Sequence, residues 1–178
     1  MYKRQLFVWM GEILFRTKLS ENLFKGLSPW MQRLPGGLIH VNVVGCALFA
    51  AISGSSAATV ATVGKMSIPE LRKRNYPEKI LLGSLAGSGT LGLLIPPSII
   101  LIIYGVAVQE SIAKLFIAGI IPGIMIALIF MSYVIIWSLI NKKFMPKIIE
   151  EYSFLEKIKR SKQLLPVIIL ISAVIGSI

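Results

Sequence analysis

The chain has 178 residues, of which 55% are hydrophobic and 15% charged, and its formal net charge is +11. This composition is far from that of an average soluble domain and is typical of an integral membrane protein. The basic residues lie in short stretches between apolar segments, which argues against a nucleic-acid-binding surface and favours loops held on the cytoplasmic side of a membrane.

The first segment, residues 1–37, predicts the truncated end of a membrane span followed by an amphipathic helix that lies along the membrane interface. The amphipathic helix covers residues 19–34, and the sequence LPGG ends it. The opening residues, Met1 to Gln5, do not read as a signal peptide and resemble a translated sequencing adapter. We therefore expect residues 1–5 not to be native.

The second segment, residues 38–64, predicts a re-entrant helical hairpin. At about 1.5 Å per residue it makes roughly 40 Å of helix, which suits either one full span or two half-helices. Gly54, Ser55 and Ser56 lie at its midpoint. Glycine relieves the backbone at a turn, and hydroxyl groups satisfy the polar atoms that a turn exposes. A single membrane crossing is the alternative.

Positive charge distinguishes these two topologies. Six Lys or Arg residues precede Leu38, five lie in residues 65–79 and seven lie in residues 141–162. A hairpin places all three basic regions in the cytoplasm, whereas a single crossing leaves the first of them outside. We therefore expect a hairpin, with residues 65–79 forming a cytoplasmic loop.

The remaining segments predict further spans and one connector. They are a broken transmembrane helix at residues 80–108, a complete span at 115–140, a basic cytoplasmic connector at 141–162 and a truncated transmembrane helix at 163–178. The last of these is shorter than the roughly 20 residues that a span needs. We expect the chain to be a fragment of a longer permease.

The broken helix is interrupted by the sequence GSGTLGLLIPPS, residues 87–98. Its glycines end a first half-helix at residues 87–92, and Pro96 and Pro97 begin a second half-helix with Ser98 in its first turn. Irregular backbone at membrane depth is tolerated only where protein buries it or where it lines a wet cavity. The interruption and the hairpin tip should therefore lie at one depth and meet.

Two interrupted helices that meet predict a site for a small cation and an anion. Carbonyl and hydroxyl groups at half-helix C-termini suit sodium, whereas the N-termini near Ser56 and Pro97 direct partial positive charge at an anion. The hydroxyl groups that could contribute belong to Ser53, Ser55, Ser56, Ser88 and Thr90. The alternative is a packing kink in which small residues permit close helix approach.

Other motifs carry less functional weight. Residues 87–92 match G-x-G-x-x-G, but they follow a membrane helix rather than a strand, so a dinucleotide site is not expected. The G-x-x-x-G pairs, Gly83 with Gly87 and Gly119 with Gly123, predict tight helix contacts rather than dimerisation. The single cysteine, Cys46, predicts a small packed residue. The single histidine, His40, predicts a packing residue rather than a proton carrier or hydrolytic base.

Three short sequences together resemble one transporter family. GSSAAT, IPPS and LFIAGIIPG follow one another in the order found in the large membrane subunit of tripartite ATP-independent periplasmic (TRAP) transporters. The resemblance runs from about Phe7 to Ile140, and the combination of motifs is highly specific. It implies an all-α polytopic membrane protein with the elevator fold of the ion transporter superfamily, of which this chain holds the first of two inverted repeats.

The resemblance also implies a function. It implies a permease subunit of a secondary transporter that imports organic acid anions, C4-dicarboxylates or related carboxylates, with sodium as the coupling ion, no other cofactor and no enzymatic activity. The implied partners are a periplasmic substrate-binding protein and a small four-helix membrane subunit in a bacterial inner membrane. A passive ion channel and a non-transporting structural subunit are the alternatives.

Matched position by position, the family's hairpin tip and unwound segment imply two sets of site residues. The sodium-binding set is Ser53, Gly54, Ser55, Ser56, Gly89, Thr90, Gly92 and Pro97. The substrate-binding set is Ser56, Thr59, Pro96, Pro97 and Ser98. Many family members have an acidic residue shortly after the tip, where this chain has Thr59 or Thr62, and this departure leaves the identity of the substrate open.

Overall fold

The computed structural model describes residues 19–146, 154–165 and 169, which form helices and turns. The helices are α1 (Leu19–Met31), α2 (Ile39–Ser53), α3 (Ser56–Lys73), α4 (Glu78–Gly89), α5 (Leu91–Leu94), α6 (Ile99–Val108), α7 (Ile112–Ile140) and α8 (Phe154–Ser161), with 3-10 turns at Lys142–Phe144 and Lys162–Leu164. The prediction of an all-helical chain is confirmed for these residues.

Several predictions fall on residues outside the described ranges. They concern the non-native residues 1–5, the end of a span before Leu19, residues 147–153 of the basic connector and most of the truncated helix at 163–178. These stay predictions.

Two stretches are long and apolar enough to cross a membrane. They are Glu78–Val108, which is 31 residues long, and Ile112–Ile140, which is 29 residues long. Much of their apolar surface is open, since Val106 is 65% exposed and Ile121 is 75% exposed. Apolar side chains displayed on this scale suit a hydrocarbon surrounding rather than water.

Helix α2 forms the centre of the described structure. It packs against α1, α3, α4, α5 and α7, and both its N-terminal His40 and its C-terminal Ser53 are buried. A helix that is apolar all round its circumference is a core helix rather than a surface one. Because protein surrounds it, α2 has little surface left to contact lipid.

Helix α3 extends further than the sequence predicts. Residues 65–79 were expected to form a loop, but the helix continues to Lys73 and only the turn from Arg74 to Pro77 connects it to α4. Val63, Ser67 and Leu71 are four residues apart, so they lie on one face of a helix, and all three are buried in the core. Burial of this face extends the helix. Two ion pairs flank the turn, Arg74 with Glu70 at 3.0 Å and Arg72 with Glu78 at 2.9 Å.

Residues from each of the three basic regions of the sequence lie together at one end of the described bundle. Arg33, Arg74 and Lys142, one from each region, line the same open cleft, whose volume is about 390 Å³. Tyr76 also lines this cleft, which we call the basic cleft. Common placement at one end is the geometry that a hairpin at residues 38–64 requires, because a hairpin returns the chain to its starting side.

Candidate functional site

The tip of the hairpin formed by α2 and α3 reverses the chain within two residues. Gly54 has φ 58° and ψ 12°, in the left-handed region that favours glycine, and its N–H donates to Ala50 O at 3.0 Å. Ser55 is extended and caps α3, since its Oγ accepts from the N–H of Ala58 at 3.5 Å. The glycine at the midpoint of the segment is therefore a C-cap and the serine after it an N-cap.

A side-chain hydrogen bond joins the two helices across the tip. Ser53 Oγ and Thr59 Oγ1 are 2.8 Å apart and both residues are buried. Ser53 Oγ also donates to Ser55 O at 3.3 Å. These bonds satisfy polar groups that would otherwise be costly to bury. They hold the hairpin tip in one conformation.

The first half-helix ends within the range that the sequence predicts. It was expected to end at residues 87–92, and α4 ends at Gly89, after which one further helical turn, α5, reaches Leu94. Thr90 between α4 and α5 is helical in backbone, and its Oγ1 donates to Gly87 O at 2.7 Å. The helix stops where Pro96 and Pro97, which have no N–H to donate, follow.

The Ser98 side chain bonds to the upstream half-helix rather than to α6, the helix that it precedes. It was expected in the first turn of the second half-helix, but it is the extended N-cap residue of α6. Its Oγ donates to Leu93 O at 2.7 Å instead of bonding to the α6 backbone. The carbonyl groups at the end of a helix lack intrahelical partners, so this bond satisfies one of them. Ser98 thus ties the two half-helices together.

The interruption and the hairpin tip lie in contact. A Cβ atom added at Gly92 would lie 2.9 Å from Ser55 C and 2.9 Å from Ser56 N, so only glycine fits there without displacing the tip backbone. The N–H of Ile99, the first residue of α6, donates to Gly54 O at 3.4 Å. Gly89 packs against the side chain of Val60 in α3. Gly89 and Gly92 therefore allow α4 and α5 to approach the hairpin closely.

One hydroxyl group at this junction has no protein partner. Ser56 Oγ is buried and forms no hydrogen bond within the described structure. It lies in the first turn of α3, an 18-residue helix whose N-terminus carries partial positive charge. A hydroxyl both donates and accepts, so it can bond to an anionic group or offer an oxygen to a hard cation.

Helix α7 supports the interruption from the other side. A Cβ atom at Gly119 would lie 3.0 Å from Leu94 O, and one at Gly123 would lie 2.9 Å from Ile95 Cγ1. The prediction of tight helix contacts at this glycine pair is confirmed. Gly83 is different, because nothing lies within 4 Å of its added Cβ.

The predicted site residues divide into two groups. The first group lies at the hairpin tip or on the part of the interruption that contacts the tip: Ser53, Gly54, Ser55, Ser56, Thr59, Gly89, Gly92 and Ser98. Ser98 belongs to this group because the next residue, Ile99, bonds to Gly54. Three others lie elsewhere. Thr90 is exposed, Pro96 lies beside Gly119 of α7, and Pro97 is buried within the interruption.

A buried polar cluster between α2 and α4 was not predicted from the sequence. Asn42 Nδ2 donates to Ser84 Oγ at 3.0 Å, and Ser88 Oγ donates to Ser84 O at 2.6 Å. Ser88 was considered as a sodium ligand, but its hydroxyl is committed to this cluster. The sequence feature that could have predicted this cluster is the four-residue spacing of Ser84 and Ser88 on an apolar helix, which places both on one face.

The single cysteine and the single histidine of the chain both have structural roles. Cys46 is fully buried in α2, as predicted for a small packed residue. His40 is also fully buried, and its Nε2 lies 2.8 Å from Pro35 O. The His40 ring therefore joins α2 to the turn that precedes it, which agrees with a packing role.

Tyr76 joins the turn before α2 to the turn before α4. Its Oη accepts from the N–H of Leu38 at 3.1 Å. Burial raises the pKa of the Tyr76 hydroxyl, while the N–H of Leu38 and the charge of Arg74 oppose this rise. The phenol is therefore neutral, and it anchors the end of the bundle opposite the hairpin tip.

Comparison with known proteins identifies a family. Residues 3–178 match the family model described as the DctM component of the tripartite ATP-independent periplasmic transporter. The chain is 38% identical over 136 residues to the C4-dicarboxylate TRAP transporter large permease protein DctM of Pseudomonas aeruginosa, a match that covers 76% of this chain and 32% of the relative.

Two further relatives have other substrates in their names. The ectoine/5-hydroxyectoine TRAP transporter large permease protein UehC of Ruegeria pomeroyi is 35% identical over 136 residues, covering 76% of this chain and 32% of that protein. The sialic acid TRAP transporter permease protein SiaT of Haemophilus influenzae is 39% identical over 126 residues, covering 71% of this chain and 20% of that protein. The chain spans about a third or less of the length of these curated relatives.

Proposed function

This chain belongs to the family of DctM components of tripartite ATP-independent periplasmic transporters, and we propose that it contributes the first half of the transport site in a sodium-coupled permease. The complete permease imports a small carboxylate-bearing molecule across a bacterial inner membrane. Residues 38–64 form a re-entrant hairpin, and residues 80–108 form a broken transmembrane helix. The family consists of transport permeases, which are not an enzyme class.

One observation carries this proposal. The backbone of Gly92 packs directly on Ser55 and Ser56, so the hairpin tip and the helix interruption form one junction. No charged residue lies between Arg33 and Lys65 or between Lys79 and Glu110. An uncharged junction of four helix ends inside a membrane segment is the arrangement that secondary transporters use to bind ions and substrates.

The junction offers complementary chemistry to a cation and to a carboxylate. Sodium binds between the tip and the interruption, where carbonyl and hydroxyl oxygens supply hard ligands. The substrate carboxylate binds beside Ser56, Thr59 and Ser98, at the N-termini of α3 and α6. The buried and unpaired Ser56 Oγ supports this assignment, because an orphaned hydroxyl is costly unless a ligand satisfies it.

Movement of the junction as one unit produces transport. Elevator transport requires the hairpin and the broken helix to move together past a fixed scaffold, without separating. The Ile99 to Gly54 bond and the Gly92 contact support such a unit, and α7 braces it through Gly119 and Gly123. The interfacial helix α1 and the basic connector belong to the scaffold.

The names of the relatives support an organic acid group as the shared chemical feature of the substrate. C4-dicarboxylates, ectoine and sialic acid differ in size and net charge, but each carries a carboxylate group, whereas isethionate, named for another relative, carries a sulfonate. Family membership supports two partners, a periplasmic protein that delivers the substrate and a small membrane subunit. The second inverted repeat supplies the other half of the site.

Transport by the complete permease, reconstituted in proteoliposomes with its small subunit and binding protein, tests this proposal. We expect the double variant Ser55→Ala, Ser56→Ala to lose nearly all uptake driven by a sodium gradient, because it removes the hydroxyl groups of the two serines that contact Gly92. Ser111→Ala is the control, since Ser111 is exposed and makes no capping bond at α7. Flux without a sodium gradient would indicate a passive channel, and unchanged uptake would indicate a structural subunit.

A further inference from the structure

The basic cleft lies at the opposite end of α2 from the proposed transport site. It adjoins Leu38, whereas the hairpin tip follows Ser53, so the length of the 15-residue helix separates them by about 22 Å. No proposed sodium or substrate residue lines this cleft. Any ligand of the cleft therefore occupies a second site.

The charge of the cleft points to an anion. Arg33, Arg74 and Lys142 line it, and none of its described lining residues is acidic. Arg74 is paired with Glu70 at 3.0 Å. Arg33 and Lys142 are exposed and form no ion pair within the described part of the chain. Two cations on separate elements thus face one open space.

A buried amide adds a polar group that has no partner. Gln32 lines the cleft, is 7% exposed, and its Oε1 forms no hydrogen bond in the described structure. An amide rotates through 180° without changing shape, so the same position can present N–H donors to an anionic oxygen. A buried polar atom left unpaired is costly, which favours a ligand that bonds to it.

The apolar part of the cleft wall favours an anion that also has an apolar portion. Leu34, Leu139 and Met145 form part of the lining. Next to it, α7 exposes Ile136 by 58% and Ile140 by 77%, so an apolar surface leads from the cleft along the outside of the bundle. Basic pockets beside transmembrane helices on the cytoplasmic side bind phosphate-bearing lipid headgroups.

We propose that the basic cleft binds the phosphate group of an anionic phospholipid. The phosphate lies between Arg33 and Lys142 near the Gln32 amide, and an acyl chain lies against Ile136 and Ile140 of α7. The site is separate from the transport site and does not require sodium coupling. A bound lipid would fix the basic end of the bundle at the membrane surface.

Native mass spectrometry of the complete permease in a neutral detergent tests the proposal. The permease is titrated with phosphatidylglycerol, with phosphatidylcholine and with inorganic phosphate. We expect preferential retention of phosphatidylglycerol, which inorganic phosphate at the same concentration does not displace. The variant Arg33→Gln, Lys142→Gln should bind phosphatidylglycerol roughly 10- to 30-fold more weakly, because two basic groups near the headgroup are lost.

Lys114→Gln is the matched control, because Lys114 is an exposed cation outside the cleft, in the first turn of α7. It should retain the preference of the unchanged protein. Equal retention of phosphatidylglycerol and phosphatidylcholine, or equal affinity in the double variant, would overturn the proposal. Displacement by inorganic phosphate would also overturn it, because the site would then recognise a free anion. Equal binding of phosphatidylcholine by all forms checks that the variants remain folded.

Discussion

The amide nitrogen of Ile99 lies 3.4 Å from the carbonyl oxygen of Gly54 and donates to it. This bond joins the N-terminus of α6 to the residue that reverses the chain between α2 and α3. Neither group belongs to the regular hydrogen bonding of a helix. The interrupted helix and the hairpin tip therefore complete each other's backbone hydrogen bonding, as polar groups away from water must.

Replacement of Gly92 by leucine should strongly reduce transport. A side chain at this position meets the backbone of Ser55 and Ser56, which cannot move aside as a flexible side chain can. Overpacking in a tight interior costs about 1–3 kcal/mol, so uptake by reconstituted permease should fall by roughly tenfold or more. Gly83→Leu is the control, because Gly83 has open space around it. Equal uptake by the two variants would show that the Gly92 contact is dispensable.

Replacement of Ser98 by alanine should weaken the connection between the two half-helices. The variant loses the 2.7 Å bond to Leu93 O and leaves that carbonyl without this partner. The free energy of unfolding in mixed micelles should fall by about 1 kcal/mol, and sodium-driven uptake should fall with it. Ser111→Ala removes an exposed hydroxyl at another helix start and should change neither quantity. A stability loss no larger than that of the control would remove Ser98 from this role.

Ser53 and Thr59 should show measurable energetic coupling. Their hydroxyl oxygens are 2.8 Å apart and both residues are buried. A double-mutant cycle with Ser53→Ala and Thr59→Val should give a coupling free energy of about 0.5–1.5 kcal/mol in the unfolding free energy. The cycle that pairs Ser53→Ala with Ser111→Ala should be additive. Additivity in both cycles would mean that the hydroxyl bond does not stabilise the tip.

Replacement of Tyr76 by phenylalanine should destabilise the basic end of the bundle. The N–H of Leu38, which is 1% exposed, loses the acceptor that lies 3.1 Å away, at a cost of about 1–3 kcal/mol. Tyr104→Phe is the control, because Tyr104 is 55% exposed. Thermal unfolding in detergent at neutral pH gives the comparison, and equal unfolding temperatures for the two variants would contradict the assigned role.

The contribution of Tyr76 should also depend on pH. Burial raises the pKa of the Tyr76 hydroxyl in the folded protein above its value in the unfolded chain. The stabilisation is therefore fully present below the ordinary tyrosine pKa of about 10 and is lost as pH rises through the folded value. The stability difference between the native protein and Tyr76→Phe should be constant from neutral pH to about pH 9 and shrink above it. A difference that shrinks below neutral pH would require another titrating group.

Sequence patterns were sufficient for the features that depend on local chemistry. Gly54 followed by two serines predicted a tight reversal, because glycine adopts the left-handed backbone that the turn needs. Pro96 and Pro97 predicted the start of a second half-helix, which begins two residues after Pro97, at Ile99. The long apolar stretches predicted two spans of the correct position to within a few residues. These predictions needed no knowledge of what each segment packs against.

The features that depend on packing were not predictable in the same way. Glycine both ends helices and permits close approach, so the sequence predicts that α4 ends near Gly89 but not that Gly89 and Gly92 contact the hairpin. Residues 65–73 look like a polar loop, but burial of Ser67 and Leu71 extends α3 through them. The partner of Ser98 lies in the preceding half-helix, and only the folded geometry identifies it.

Accessibility of Arg33 and Lys73 tests the re-entrant topology most directly. Single cysteines at these two positions and at Lys114, in the complete permease with all other cysteines replaced, are labelled with a membrane-impermeant maleimide in spheroplasts and in inverted vesicles. We expect Arg33 and Lys73 to react from the cytoplasmic side only and Lys114 from the periplasmic side only, since the chain enters and returns at Gly54. Reaction of Arg33 and Lys73 from opposite sides would contradict the hairpin and the site built on it.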